Sequence, residues 1–242
     1  MKQAIVYSLQ ASLTAQWVTL VTNFFGFFGT LSPFDEILRS VLGIETFVQI
    51  VELLFYTWYS THLSKVAEIT YYRYHDWVIT TPLMLFSTMV YYEYQNKPQE
   101  KVTIQSFMQN HWKTALAVFL FNLIMLGFGY AYERGFMDLV SSTLLGFGGF
   151  AGSFYLIWKE FASKSPENYP LFGFMFITWF LYGIAALFTP TWKNVSYNIL
   201  DVFAKNFYGV FLSYLIFTKT LQSTTPQPKD PEISKEPEGI VA

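Results

Sequence analysis

The chain has 242 residues, of which 52% are hydrophobic, 21% aromatic and 13% charged, with a mean hydropathy of +0.30 and a net charge of −2. A soluble domain carries about 25% charged residues, so this composition excludes an ordinary water-soluble protein, and the charge offers no basic footprint for nucleic acid. With no cysteine, disulfides, thiolate metal sites and cysteine nucleophiles are excluded too.

Seven apolar blocks follow, each long enough to cross a bilayer at roughly 20 residues of helix. The first is expected over about 4–29. Its start, MKQAIVYSLQ, lacks a strongly basic region and is interrupted by polar residues, so it reads as a retained span. Ser12, Gln16, Thr19 and Asn23 form a polar stripe along it. The second, about 42–64, carries Glu45, Gln49, Glu52 and Tyr59 on one face. The third, about 71–93, places Arg73, Asp76, Thr80 and Ser87 on one stripe. The fourth and fifth are expected over 112–132 and 137–161, the fifth with the glycine-rich run LLGFGGFAGS. The sixth runs over about 169–188, and the seventh over 192–220 with Asn194, Asn198, Asp201 and Lys205 on one face. Proline marks the breaks at Pro33, Pro98, Pro166 and Pro190. The residues therefore predict an all-α membrane protein, a seven-helix bundle over 1–221. A polar, proline-rich tail, 222–242, is expected to be disordered.

Short loops set the orientation. Arg39, Lys97, Lys101, Lys113, Lys159, Lys164 and Lys219 fall on one side, against Lys2, Lys65, Arg134 and Lys193 on the other. This bias predicts the N-terminus outside and the C-terminus in the cytoplasm. The N-V-S triplet at Asn194 has the form of a glycosylation sequon, but a helix start is a poor place for one.

Charges inside membrane helices are costly and mark function by default. An apolar pair would hold two helices at no greater cost than a buried salt bridge, which weakens a purely structural reading. Lys205 in apolar surroundings has the makings of a nucleophile toward a carbonyl. The imine so formed needs a buried counterion when protonated, and Asp76 and Asp201 are the available carboxylates.

RYHDWVITTPLMLF, residues 73–86, resembles the third helix of the microbial (type 1) rhodopsins, and LDVFAKNFYG, residues 200–209, resembles their seventh. IMLGFG, residues 124–129, and TWFLYG, residues 178–183, are similar to their fourth and sixth helices, with Gly183 where proline is usual. The resemblance implies covalent all-trans retinal on Lys205 as a Schiff base. It makes Asp76 the primary counterion and proton acceptor, Asp201 the second counterion and Arg73 the gating arginine. Trp77 and Trp179 would sandwich the polyene, and Thr80, Thr81, Met84, Met125, Gly129 and Tyr182 would line the pocket. Tyr59 is expected to hydrogen-bond Asp201. Asn122 is expected to pair with Thr81, an arrangement that in the family tunes channel closing.

The family contains pumps, channels and sensors. Ser87 stands where efficient outward pumps hold a carboxylic proton donor, and Lys193 stands where they hold a release glutamate. Glu45 and Glu52 instead resemble the acids of cation channelrhodopsins, and with Ser12 and Asn198 they predict a hydrated path that attracts cations. Glu45 has a plainer alternative as an acid favouring a helix N-terminus, and Glu52 one as a protonated, hydrogen-bonded group. The combination Asp76, Thr80 and Ser87 is most similar to rhodopsins encoded by giant viruses of algae and protists. The expectation is a light-gated cation channel, not an enzyme, with an outward proton pump or a sensory rhodopsin as alternatives. It would sit as a multi-pass protein in a lipid bilayer (the host cell's, if viral), pass cations or protons, and bind neither nucleic acid nor, with His62, His75 and His111 scattered, a metal. A homo-oligomer is compatible with the family.

Overall fold

Helix α1, Lys2–Gly26, is 25 residues long. At about 1.5 Å per residue this exceeds the roughly 30 Å of a bilayer's hydrocarbon core. It is followed by α2 (Ile37–Thr61), α3 (Val66–Asn96), α4 (Ile104–Glu133), α5 (Leu139–Glu160) and α6 (Tyr169–Ala185). The seventh rod is composite. It consists of α7 (Pro190–Asp201), a π-helical turn (Val202–Phe207) and α8 (Tyr208–Thr224). The computed structural model describes residues 2–62 and 66–224; Lys65 and the tail expected to be disordered, from residue 225 onward, lie outside the described residues. Among the described residues there is no strand.

Each helix lies beside the next, and α1 returns against α7 and α8 to close the ring. The interior mixes charged and polar groups with apolar packing, and the exterior is apolar. Arg73, Glu45, Glu52, Asp201 and Lys205 are all at most 1% exposed, whereas Trp17, Phe25, Leu54, Leu144 and Phe217 face outward. That inversion suits a lipid solvent. By length and hydropathy alone, four stretches are apolar enough to cross a membrane: Gln3–Gly26, Ile104–Glu133, Leu139–Lys164 and Pro190–Ser223. Of the remaining helices, α2 and α3 carry buried charges, and α6 has only 17 residues.

Several boundaries differ from the sequence expectation; the third helix, for one, begins at Val66 and not 71. The first helix stops at Gly26 and not residue 29, because Arg39 of α2 takes the carbonyls of Phe27 and, at 2.9 Å, Gly29. Those oxygens would otherwise need further helix. The second begins at Ile37 and not 42, so Glu45 lies well inside it, away from the N-terminal dipole. The fourth begins at Ile104, ahead of the expected 112, behind a capping box: the Thr103 hydroxyl accepts from the Ser106 amide, and the Ser106 hydroxyl accepts from the Thr103 amide, both at 3.0 Å.

The glycines of α5 serve close approach to α4. A Cβ on Gly149 would stand 2.6 Å from the Phe121 carbonyl oxygen and 2.7 Å from the Met125 amide nitrogen, both backbone atoms.

Candidate functional site

The centre of the bundle is a charge cluster shared by α2, α3 and the seventh rod. Lys205, in the π-helical turn, brings its Nζ to 2.7 Å from Asp76 Oδ2, 3.5 Å from Asp201 Oδ1 and 3.8 Å from Glu52 Oε1. Such turns are frequent at functional sites. The second cation, Arg73, sits one turn from Asp76 on α3, with its Nη1 3.3 Å from Asp201 Oδ2. Its Nε donates to Asn194 Oδ1 at 3.2 Å and its Nη2 to Asn198. The charged stripes of the third and seventh helices thus face each other, as their spacing predicted.

The two tyrosines that bind Asp201 are Tyr56 (2.6 Å) and Tyr182 (2.5 Å). The expected bond from Tyr59 is not formed. Tyr59 lies one turn further along α2, where its ring stands 5.1 Å from the Arg73 guanidinium and its hydroxyl has no partner among the described residues. Tyr56 also accepts from Arg73 Nη1 at 3.2 Å, so a single hydroxyl ties α2 to both charges.

Beside the cluster, on the α3–α6 side, lies a partly open cavity of about 110 Å³. Lys205 stands on its wall, and the expected residues Trp77, Thr81, Met84, Met125, Gly129, Trp179 and Tyr182 all line it. Tyr182 touches both tryptophan rings, at centroid distances of 5.5 Å to Trp77 and 6.4 Å to Trp179. Thr80 does not line the cavity. It is turned to the cluster side, its hydroxyl donating to the Asp76 carbonyl at 3.0 Å. Thr81 accepts from Asn122 Nδ2 at 2.8 Å, joining α3 to α4 as expected. Residues that sequence reasoning passed over also line the cavity: Tyr74, Tyr197, Phe147, Phe150 and Glu133. The aromatics among them are indistinguishable in sequence from lipid-facing ones.

On the other side of the cluster a seam of buried polar groups runs along α1, α2, α3 and the seventh rod. Ser12 and Gln16 of α1 bond each other at 3.3 Å, and Gln49 accepts from Asn206 at 2.8 Å. Asn198 donates to Ser8 at 2.9 Å, so its α1 partner is Ser8, with Ser12 fully buried one turn on. Glu45 receives the Ser87 hydroxyl. Glu52 is wholly buried and neither oxygen has a hydrogen-bond partner among the described residues. Asn194 is fully buried, donating to Thr70 at 3.1 Å, which removes the N-V-S triplet from the surface. Beyond Glu45, the loop residue Asp35 accepts from Ser32 at 2.7 Å and from Tyr94, with Lys219 at 3.3 Å. Burial works to raise this carboxyl's pKa, but these donors and the ammonium outweigh it and hold the group below the usual aspartate range.

A family model described as bacteriorhodopsin-like protein matches residues 8–219. Among solved structures, the viral rhodopsin OLPVRII superposes with a TM-score of 0.78 at 29% identity, over 87% of this chain and 96% of that one. A thermophilic rhodopsin (TM-score 0.69, 15% identity, 93% of this chain and 96% of that one) shares the fold. So does xanthorhodopsin, a light-driven ion pump with dual chromophore (0.67, 17%, 92% and 95%). No curated protein sequence matches the chain significantly.

Proposed function

This chain belongs to the bacteriorhodopsin-like family, and we propose that within it the protein is a light-gated cation channel in a lipid bilayer, with its N-terminus outside. The family implies retinal on a lysine, and the cavity fits it in chemistry: an apolar, aromatic-walled space with the buried amine of Lys205 on its wall. Asp76 Oδ1 has no hydrogen-bond partner among the described residues, which leaves a buried acceptor beside that amine. Bound through an imine to Lys205, retinal would supply visible absorption and a light-driven bond rotation.

The residues around Nζ do the rest. Asp76, at 2.7 Å, is the base that takes the proton from Nζ. Asp201, held by Tyr56 and Tyr182, keeps Arg73 in place. Loss of the proton from Nζ removes a positive charge from beside Glu52, 3.8 Å away. The observation that carries the channel reading is Glu52 itself. It is a fully buried carboxyl with no hydrogen bond, beside the switched amine, on the same α2 face as Gln49 and Glu45. When it moves, the seam from Asn198 through Gln49 to Glu45 can admit water and cations, and its acids disfavour anions.

A second reading rests on the Ser87–Glu45 bond. An outward proton pump needs an internal donor, and Glu45, bonded to the residue that stands in the donor's place, would supply one from α2. Currents under green light at several holding potentials, with all-trans retinal added, separate the two. A current that reverses with voltage and shifts with external sodium or potassium supports the channel. A current that stays outward at every potential supports the pump. Absence of current with a bleachable visible band would overturn both and favour a sensor.

A further inference from the structure

The cavity does not end at the aromatic residues near Lys205. It continues toward the end of the bundle where α1 begins, past Gly129 to Tyr132, Glu133, Leu139 and Thr143. There the last residue of α4 meets the first turn of α7: Lys193 Nζ lies 2.6 Å from Glu133 Oε1, with the two side chains 5% and 12% exposed. The ammonium also sits 5.0 Å from the centroid of the Tyr132 ring. Neither the charge cluster nor the polar seam uses this pair. Asn194, the next residue of α7, turns to Arg73 and the seam, whereas Lys193 turns to α4.

We propose that the Glu133–Lys193 pair is a lid that bolts α4 to α7 over the outer end of the chromophore cavity and keeps water and water-borne nucleophiles from Lys205. A nearly buried pair suits this work, because separating it leaves each charge unpaired in a poor solvent. Glu133 is thereby a positioning residue: it acts through Lys193 and the α4–α7 contact. The inference rests on the retinal reading given above.

Hydroxylamine is the probe. Its nitrogen replaces that of Lys205 on the retinal carbon, freeing the lysine amine and releasing retinal oxime, with loss of the visible band. The retinal-loaded wild type, Glu133→Gln, Lys193→Gln and the exchanged pair Glu133→Lys with Lys193→Glu would be bleached in the dark. The rate of retinal uptake by each apoprotein is followed in parallel. Both single variants are expected to bleach about tenfold faster than wild type, in keeping with loss of a buried pair, and to take up retinal faster. The exchanged pair should return both rates toward wild type. Equal rates in all four proteins would overturn the proposal. If the single variants hold no visible band, the exchanged pair decides alone: slow bleaching supports the lid, fast bleaching refutes it. A wild type that forms no visible band at all sinks the retinal reading instead, which is a different failure.

Discussion

The Tyr56 hydroxyl donates to Asp201 Oδ2 at 2.6 Å, while Tyr59, one turn away on the same helix, bonds nothing among the described residues. A hydrogen bond to a charged group contributes about 2 kcal/mol. Tyr56→Phe is therefore expected to lower the thermal midpoint of the detergent-solubilised protein by on the order of 5 °C for a chain of this size. Tyr59→Phe should leave it within about 1 °C. Equal losses from both variants would mean that Asp201 draws on Tyr59 after all.

Around Lys205 and Arg73 stand three carboxyls, Glu52, Asp76 and Asp201, one more than the cations. An unbalanced charge at that depth is expensive, and Glu52 is both the furthest from Nζ and without a hydrogen bond. It is expected to be a neutral acid in the dark. Infrared difference spectra should show a carboxylic C=O band that Glu52→Gln removes, and Glu52→Ala should cut the photocurrent severalfold. A full current in Glu52→Ala would exclude the seam as the path.

Gly149→Ala places a methyl against two backbone atoms of α4 that cannot give way. Overpacking of this kind costs about 1–3 kcal/mol. Gly148, by contrast, has nothing within 4 Å of the corresponding position. Gly148→Ala should therefore match or slightly exceed wild type in thermal stability, and Gly149→Ala should fall several degrees below it. Identical midpoints would mean that α4 and α5 pack less closely than described here.

Asp35 anchors the loop after α1 to Tyr94 of α3 and Lys219 of α8. Its carboxyl is held below the ordinary range in the folded protein, so its contribution to stability is complete above the unfolded value, about 3.9. That contribution is lost as pH falls through the lower folded value. Wild type should therefore lose stability relative to Asp35→Asn as the pH falls below about 4, with the difference between them constant above pH 5. Melting curves of the two proteins across that range test the sign. A gap that widens on acidification would refute it.

The seven helices and the lysine–aspartate core were legible because both are periodic signals: apolar runs of bilayer length, and charges at helical spacing on two segments. Trp77, Thr81, Met125 and Trp179 came from the resemblance to the rhodopsin third, fourth and sixth helices, and periodicity alone would not have marked them. What could not be read was register between helices. Tyr56 and Tyr59 are both inward-facing and differ by one turn, so only the height of α2 against α7 decides which meets Asp201. Glu133 carries no periodic mark, since an acid at a helix end is ordinary, and its partner lies 60 positions away. Thr80 and Thr81 are adjacent, and about 100° of helical rotation separates the cluster from the cavity. The early end of α1 and the early start of α4 went unread for a related reason: Arg39 and Thr103 act through hydrogen bonds that hydropathy does not register.

The π-helical turn at Val202–Phe207 has a bearing on descent. It accommodates one residue more than the α-turn it interrupts, so the halves of the seventh rod keep separate angular registers. Deleting one residue within the turn would therefore leave both halves facing as they do, whereas deleting one elsewhere in the rod would swing everything beyond it by about 100°. After a deletion in α7, Gly209, whose missing Cβ leaves room for Thr19 and Asn23, and Ser213, which meets Asn23 at 3.0 Å, would both turn away from α1. A homologue one residue shorter within the turn is therefore expected to keep the same inward face on its first helix, and one shortened elsewhere in the rod to carry a different one.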